Sequence, residues 1–232
     1  INELEDEGLK ERFVQIMTVH KEPSLLTFRE KRALKKEIET TYNTSVYIIV
    51  KDVSNINTPQ EIYKEVKEQG IEIHVLMNNA GFGQVGKFHE LSVARHTEMI
   101  NLNVTSLTIL TRLFLPDFIK RGSGKILNTS STASFMPGPL QAVYFATKAY
   151  VTSFSNAIAE ELHDTNVTVT NLMPGATETD FGATCGMDKT DLFKTTANAA
   201  SVAKAGYDAM IDGKLDVISG LTFAQKVMNK AW

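Results

Sequence analysis

The sequence predicts an α/β fold, a doubly wound, Rossmann-like parallel sheet with helices on both faces. Short runs rich in β-branched residues alternate along the chain with longer amphipathic segments. Alternation at this spacing is typical of βαβ units, which build a parallel sheet between two helical layers. The 232 residues, 43% of them hydrophobic, are enough for one substantial core. We therefore predict a single three-layer α/β/α domain over residues 1–232.

Four buried strands are predicted, at residues 46–50, 73–77, 125–128 and 167–173. Helices are predicted from residue 58 onward, over residues 93–119 as one or two helices, and over residues 143–163. The first 45 residues are harder to assign. Residues 24–29 suggest a strand and residues 31–41 a helix, while residues 13–19 fit either structure.

Composition excludes several classes of function. A formal charge of -3 without a basic stripe argues against nucleic-acid binding. The single cysteine, Cys185, cannot form an internal disulfide, and no cysteine or histidine cluster predicts a metal site. We find neither a signal leader nor an uninterrupted apolar run of the ~18 residues that a membrane span needs. These features predict a cytoplasmic protein with no membrane span.

The motif that most clearly indicates catalysis is a tyrosine and a lysine four residues apart, Tyr144 and Lys148. Ser131 lies thirteen residues before Tyr144. On a helix, positions four apart share a face. A neighbouring ammonium stabilises a phenolate and brings a tyrosine closer to working as an acid or base. Ser131 would hold the substrate oxygen. Such pairs also occur by chance on helix surfaces, so the surrounding residues have to support this interpretation.

That support comes from the carboxyl ends of the predicted strands, which carry Asp52, Asn79, Ser131 and the pair Pro174 and Gly175. In an open parallel sheet, ligands bind beyond these ends. Four strand ends thus point to one crevice.

Five ordered motifs make the chain resemble the short-chain dehydrogenase/reductase family over about residues 46–220. They are Asn78-Asn-Ala-Gly81, Asn103 in Asn101-Leu-Asn-Val104, Ser131, Tyr144-x-x-x-Lys148 and Pro174-Gly175-Ala-Thr-Glu-Thr179. The resemblance implies that Tyr144 exchanges the proton with a carbonyl or alcohol oxygen and that Ser131 orients this oxygen. It also implies that Lys148 lowers the pKa of Tyr144 and binds the nicotinamide ribose, and that Asn103 holds a water for proton supply.

The same resemblance implies a nucleotide site. Its expected residues, besides Tyr144 and Lys148, are Asn79, Ala80 and Gly81 at the adenosine half, Asp52 and Val53 at the adenine, and Pro174, Gly175, Thr177 and Thr179 at the nicotinamide and its phosphate. Each has an alternative role. Asp52 can cap a turn, Asn103 can tie two strands together, and Pro174-Gly175 can be an ordinary turn.

One part of the family pattern, the glycine-rich phosphate loop Thr-Gly-x-x-x-Gly-x-Gly, does not occur in the sequence. Residues 1–8 carry four carboxylates before one glycine, a poor setting for a diphosphate. Either the natural protein has residues before Ile1, and perhaps at a join near Phe28, or it lacks the loop. We favour the first, because losing a central strand would expose its neighbours. If Arg29 closes a strand, its guanidinium would favour NADP(H) over NAD(H).

These observations predict an NADP(H)-dependent oxidoreductase that acts on a small carbonyl compound or secondary alcohol. The alternative is a cofactor-dead relative that serves as a binding or scaffold protein. Residues 180–200 are predicted to form a substrate lid. The resemblance implies a homodimer or homotetramer, for which Phe114, Phe118, Phe154 and Ile158 could supply a face or could instead pack on the sheet.

Overall fold

The computed structural model describes residues 28–186 and 196–221. Contacts within the chain divide it into two compact units, residues Ile1–Ile73 and residues His74–Trp232. The first unit contains the helices α1 (Phe28–Tyr42) and α2 (Thr58–Glu68). The second contains, in chain order, β1 (Val75–Asn78), α3 (Val93–Ile100), α4 (Leu107–Arg121), β2 (Gly124–Thr129), α5 (Ala142–Glu161), β3 (Val167–Pro174), α6 (Phe181–Cys185), α7 (Ala199–Ile211) and β4 (Asp216–Ser219).

The first unit confirms the two predicted helices and corrects the predicted strand at residues 46–50. Residues 46–50 form no hydrogen-bonded strand, although Val46 and Ile49 are buried. A strand needs a neighbour for its backbone groups, and the described residues of this unit are otherwise helices and turns. Arg29 lies in the first turn of α1 and does not end a strand. The predictions for residues 1–27 lie outside the described residues.

The second unit has a parallel sheet with the strand order β1-β2-β3-β4. The predictions for β2 and β3 are confirmed almost to the residue. β1 starts two residues later than predicted, where its pairing with β2 begins at Val75 and Lys125. β4 was not predicted as a strand, because this edge strand is only half-buried and lacks a long apolar run.

Alternating side chains on the central strands contact helices on opposite faces of the sheet. Leu127 and Leu172 pack in a core cluster with Val202 and Met210 of α7. The next residue on β2, Asn128, donates a hydrogen bond of 2.9 Å to Ser155 of α5. The sheet is therefore covered by helices on both faces, which confirms the predicted three-layer architecture.

The stretch from α3 to α4 is helical without a break, and its middle, Asn101–Ser106, is π-helical. Phe114 and Phe118 are buried and pack inward, so they supply no exposed interface. Among the described residues, Val93–Arg121 has the length and apolar composition that a membrane span requires, with 39% of its most apolar window buried. Core helices also meet these two criteria, so this stretch is weak evidence for a span.

We expect Phe118→Ala to lower the free energy of unfolding by about 3–5 kcal/mol, because it leaves a cavity at a fully buried position. The next residue, Ile119, is 47% exposed and serves as the matched control. Ile119→Ala should cost less than about 1 kcal/mol. Urea denaturation of the full-length variants measures both. Equal losses would mean that this helix does not pack through Phe118.

Candidate active site

Three strand ends of the second unit come together through hydrogen bonds. Thr129, at the end of β2, donates to the side chain of Asn79 after β1 at 3.1 Å. Ser131 donates to the carbonyl oxygen of Pro174, the last residue of β3, at 3.4 Å. The predicted meeting of Asn79, Ser131 and Pro174 at one edge of the sheet is thus observed.

Tyr144 and Lys148 lie on the buried face of α5, at the same edge. Their exposed fractions are 7% and 5%, so the pair is not a surface coincidence. The Lys148 ammonium donates to the carbonyl oxygen of Thr129 at 2.8 Å and lies 5.8 Å from the centre of the Tyr144 ring. Ser130 fixes this turn of α5 by donating to the Lys148 carbonyl oxygen at 2.8 Å.

The Tyr144 phenol is enclosed by aromatic rings and by Ser131. The ring centres of Phe181 and Phe145 are 5.6 and 6.1 Å from that of Tyr144. Burial raises the pKa of Tyr144 well above its ordinary value, and a hydrogen bond with Ser131 opposes this rise only in part. Tyr144 is therefore a neutral phenol at neutral pH, able to donate its proton.

Burial acts on Lys148 in the opposite sense, since it disfavours the charged ammonium. It lowers the pKa of Lys148 to about 8, while the nearby Cys185 raises it slightly. Burial dominates and raises the pKa of Tyr144, so the expectation that Lys148 depresses this pKa is not met in the structure. The Lys148 ammonium nevertheless lies close enough to Tyr144, 5.8 Å from its ring centre, to stabilise a phenolate once it forms.

Asn103 lies in the π-helical segment and joins three parts of the site. Its amide oxygen accepts the Phe82 backbone N–H at 3.1 Å. Its amide nitrogen donates to the Phe82 carbonyl oxygen at 2.9 Å and to the Thr147 hydroxyl at 3.1 Å. Both amide N–H groups are thereby used, so Asn103 holds the loop after β1 against α5. The predicted role of binding a water stays a prediction.

Two glycines of the predicted nucleotide site lie in close packing. A Cβ atom on Gly81 would lie 3.1 Å from the Asn103 amide oxygen and 3.5 Å from the Lys148 ammonium. A Cβ atom on Gly175 would lie 2.6 Å from the Gly220 carbonyl oxygen. Gly81 therefore places backbone without a side chain next to Lys148. At Gly175, close packing against the end of β4 already explains why the residue is a glycine.

The other predicted nucleotide-binding residues make local contacts. The hydroxyls of Thr177 and Thr179 donate to backbone carbonyls two residues earlier, at 3.0 and 3.5 Å. In the first unit, Asp52 caps a turn by accepting the Ser54 backbone and hydroxyl at 2.9 and 2.7 Å, and Val53 is buried. Ala80 is exposed beside Gly81. Contacts of these residues, and of Arg29, with a nucleotide stay predictions.

Two further features of the site have no marker in the sequence. Cys185 is buried, and its sulfur accepts the Gly83 backbone N–H at 3.2 Å, beside Tyr144. A small cavity, partly open to solvent, adjoins Tyr144 and is lined among others by Gln84, His96 and Gln141. No sequence motif marks these residues, because they come together only through the loops of the folded chain.

Comparison with known proteins places this geometry in a family. The family profile described as short chain dehydrogenase matches residues 22–190. The chain is 36% identical over 157 residues to human 17-beta-hydroxysteroid dehydrogenase type 3, covering 66% of this chain and 49% of that protein. It is 34% identical over 170 residues to the NADP-dependent 3-hydroxy acid dehydrogenase of Escherichia coli, covering 73% of this chain and 66% of that protein. The chain spans about half the length of several of the curated relatives it matches.

Solved structures agree on the fold. A short-chain dehydrogenase from Sphingobium yanoikuyae in complex with NADPH superposes with a TM-score of 0.80 at 24% identity, covering 97% of this chain and 86% of that chain. A serine dehydrogenase complexed with NADP+ gives a TM-score of 0.73 at 26% identity, covering 89% of this chain and 84% of that chain. The chain belongs to the short-chain dehydrogenase family, as its motifs predicted.

We expect Asn103→Leu to lower the free energy of unfolding by about 1–3 kcal/mol, because it removes the hydrogen bonds to the Phe82 backbone N–H and carbonyl oxygen. Asn101→Leu, two residues earlier on the same helical segment and half-exposed, is the matched control and should cost under about 1 kcal/mol. Urea denaturation compares the two. A small loss at Asn103 would show that the loop after β1 is held by other contacts.

The buried lysine predicts a pH dependence of stability. Between about pH 8 and pH 10, the unfolded chain keeps the Lys148 proton while the folded chain releases it, so stability should rise with pH. The gain should reach at most about 1.4 kcal/mol per pH unit. Above about pH 10 the raised pKa of Tyr144 reverses the trend, because the unfolded phenol then loses its proton first.

This dependence is measured as the difference in free energy of unfolding between wild type and Lys148→Met, so that other titrating groups cancel. The difference should shift in favour of the wild type from pH 8 to pH 10. A flat difference would show that Lys148 is not desolvated in the folded protein.

Proposed function

We propose that the full-length protein is an NADP(H)-dependent oxidoreductase that reduces a carbonyl compound, or oxidises the corresponding secondary alcohol, with Tyr144 as proton donor or acceptor. The observation that carries the proposal is the buried Tyr144 phenol between Ser131 and Lys148 at the carboxyl edge of the sheet. Two relatives are NADP-dependent 3-hydroxy acid dehydrogenases, and structural neighbours are complexes with NADPH and NADP+. These names support NADP(H) over NAD(H).

The residues of the site fit the nicotinamide half of such a cofactor. An ammonium has three hydrogen-bond donors, and the contact with Thr129 uses one, which leaves Lys148 able to bind ribose hydroxyls. Gly81, without a side chain, leaves space beside that ammonium. With Lys148 and Gly81, the residues that would hold the cofactor are Asn79, Ala80, Tyr144, Pro174, Gly175, Thr177 and Thr179. When bound, the nicotinamide supplies or accepts the hydride.

The chain's own groups handle the proton. Ser131 hydrogen-bonds with the phenol and is placed to orient a substrate oxygen next to it. Tyr144, protonated at neutral pH, gives its proton to an oxygen that becomes an alkoxide during reduction. The resulting phenolate is stabilised by the Lys148 ammonium, which is still mostly charged at neutral pH. The raised pKa keeps Tyr144 protonated near neutrality, as a proton donor requires.

We also propose a homodimer or homotetramer. Tyr150 and Phe154 stack at the surface of α5 with ring centres 5.6 Å apart, and Tyr150 meets Thr108 of α4 at 3.0 Å. These residues replace Phe114 and Phe118, which are buried, as the aromatic part of the proposed face. The cytoplasmic location stays a prediction.

The decisive experiment uses Tyr144→Phe in the full-length protein. NADPH oxidation with a panel of ketones should fall by at least about 10²–10⁴-fold, because the proton donor is lost while the ring is kept. Cofactor affinity, followed by NADPH fluorescence, should be nearly unchanged. Tyr150→Phe, on the exposed side of the same helix, is the matched control and should keep full activity.

Equal loss of cofactor binding in Tyr144→Phe would contradict this assignment. Failure of the full-length wild type to bind NADPH would reject the enzyme and leave the scaffold interpretation.

A further inference from the structure

Three asparagines and one aspartate form a polar row across the parallel sheet. Each strand contributes one residue, paired in register with the next: Asn78 of β1, Asn128 of β2, Asn171 of β3 and Asp216 of β4. The asparagines are buried, whereas the aspartate on β4 is exposed. Strands of a parallel sheet normally carry apolar side chains at buried positions, because burying a polar group costs free energy unless it is paired. The row therefore indicates a requirement other than the burial of apolar surface.

Hydrogen bonds fix the side chains of the row in two pairs. The Asn78 amide nitrogen donates to the Asn128 amide oxygen at 2.9 Å and to the Thr111 hydroxyl of α4 at 3.1 Å. The Asn171 amide nitrogen donates to a carboxylate oxygen of Asp216 at 2.8 Å. Each strand of the sheet is thus tied to a neighbouring strand by a side-chain hydrogen bond as well as by its backbone.

Both pairs extend to α5, the helix that carries the predicted proton donor. The Asn128 amide nitrogen donates to the Ser155 hydroxyl at 2.9 Å, and the Asn171 amide nitrogen donates to the Thr152 hydroxyl at 3.4 Å. The Thr152 hydroxyl also lies 2.8 Å from that of Ser130, which binds the backbone of the preceding turn of α5. The row is therefore connected to α5 over successive turns of the helix.

The buried face of α5 is mostly polar. Over the 20 residues of this helix, all of which the structure describes, the buried side chains are those of Tyr144, Thr147, Lys148, Val151 and Ser155. Among these five, the valine alone has a purely apolar side chain. The other face of the sheet differs, because α7 packs there through apolar side chains. The sheet thus holds α5 largely by hydrogen bonds and α7 by apolar contacts.

Hydrogen bonds fix the position of a helix on a sheet more narrowly than apolar contacts do. Their donor and acceptor atoms keep to distances of about 2.7–3.2 Å, whereas apolar attraction has no preferred direction. Lys148, Thr152 and Ser155 are spaced four and three residues apart, so they lie on one face of α5. Bonds at Thr152 and Ser155 therefore set the height of Lys148 on the sheet. This height matters, because a displacement of about 1 Å can slow a reaction by about 10²-fold.

We propose that Asn128, Asn171 and Asp216 are positioning residues for the reaction. They hold α5 at the height on the sheet at which Tyr144 lies beside Ser131. They act through the helix and not by contact with the reacting groups. The inference rests on the proposed function, since the reaction is the one in which Tyr144 exchanges the proton.

The test removes both partners of one hydrogen bond in the full-length protein. The double variant Asn128→Leu/Ser155→Ala places apolar groups on both sides, which costs less stability than removing one partner alone. With NADPH and a ketone, kcat of the double variant should nevertheless fall by at least about tenfold, at a temperature at which circular dichroism shows it to be folded. Leu127→Ala, at the neighbouring residue that packs with α7, is the matched control. It weakens the core but should keep kcat within about twofold of the wild type.

A second pair of variants tests the charged end of the row. Asp216→Asn keeps an oxygen that accepts from the Asn171 amide, so kcat should stay within about twofold of the wild type. Asp216→Leu removes the acceptor and should lower kcat by about threefold or more. Equal kcat in the two variants would overturn the assignment of Asp216 as a positioning residue.

Lys148 reports the position of α5 without turnover. Burial lowers the pKa of Lys148 to about 8, so its side-chain NMR signal, assigned by its loss in Lys148→Met, should titrate near pH 8 in the wild type and in Leu127→Ala. In the double variant the pKa should rise toward the ordinary value of lysine, because a displaced ammonium regains contact with water.

Wild-type kcat in the folded double variant, or an equal fall of kcat in Leu127→Ala, would overturn the proposal while ketone reduction by the wild type still supported the oxidoreductase. If the wild type reduced no ketone, the proposed function would fail. The Lys148 titration would then decide by itself whether the row positions α5, and an unchanged pKa in the double variant would count against it.

Discussion

The Asn103 side chain is the contact on which the site depends most. It accepts from and donates to the backbone of Phe82 and donates to Thr147, so one buried amide joins the loop after β1, the π-helical segment and α5. Removing the amide would remove its hydrogen bonds to both Phe82 backbone groups in a buried setting. The loop it holds carries Gly81 next to Lys148 and Gln84 at the cavity beside Tyr144, so the positions of both residues depend on it.

Burial decides the chemistry of the tyrosine and lysine pair. The sequence suggested that the cation makes the tyrosine more acidic, whereas enclosure of both groups raises the pKa of Tyr144 and lowers that of Lys148 to about 8. Burial disfavours the charged form of each group and is the largest cause of both shifts. Tyr144 is therefore protonated near neutral pH and can act as a proton donor.

Local patterns predicted the strands and helices that carry strong apolar periodicity. β2, β3 and α5 were predicted within two residues at each end. The strand at residues 46–50 was wrong, since a β-branched run becomes a strand only when another strand pairs with it. β4 was not predicted, because its half-exposed side chains form no apolar run that would indicate a strand. Its pairing with β3 is what makes it one.

The sequence by itself determined the family, the parallel sheet and the positions of Asn103, Ser131, Tyr144 and Lys148, because each depends on a residue type at a fixed spacing along a strand or helix. Only the tertiary structure decided that the Asn103 amide binds Phe82 and Thr147. It also decided that Gly175 packs against Gly220, and which side chains line one cavity beside Tyr144: Gln84, His96 and Gln141. These residues lie on separate loops and helices. Their proximity, and the burial that sets their hydrogen bonding, arises when long-range contacts close the fold.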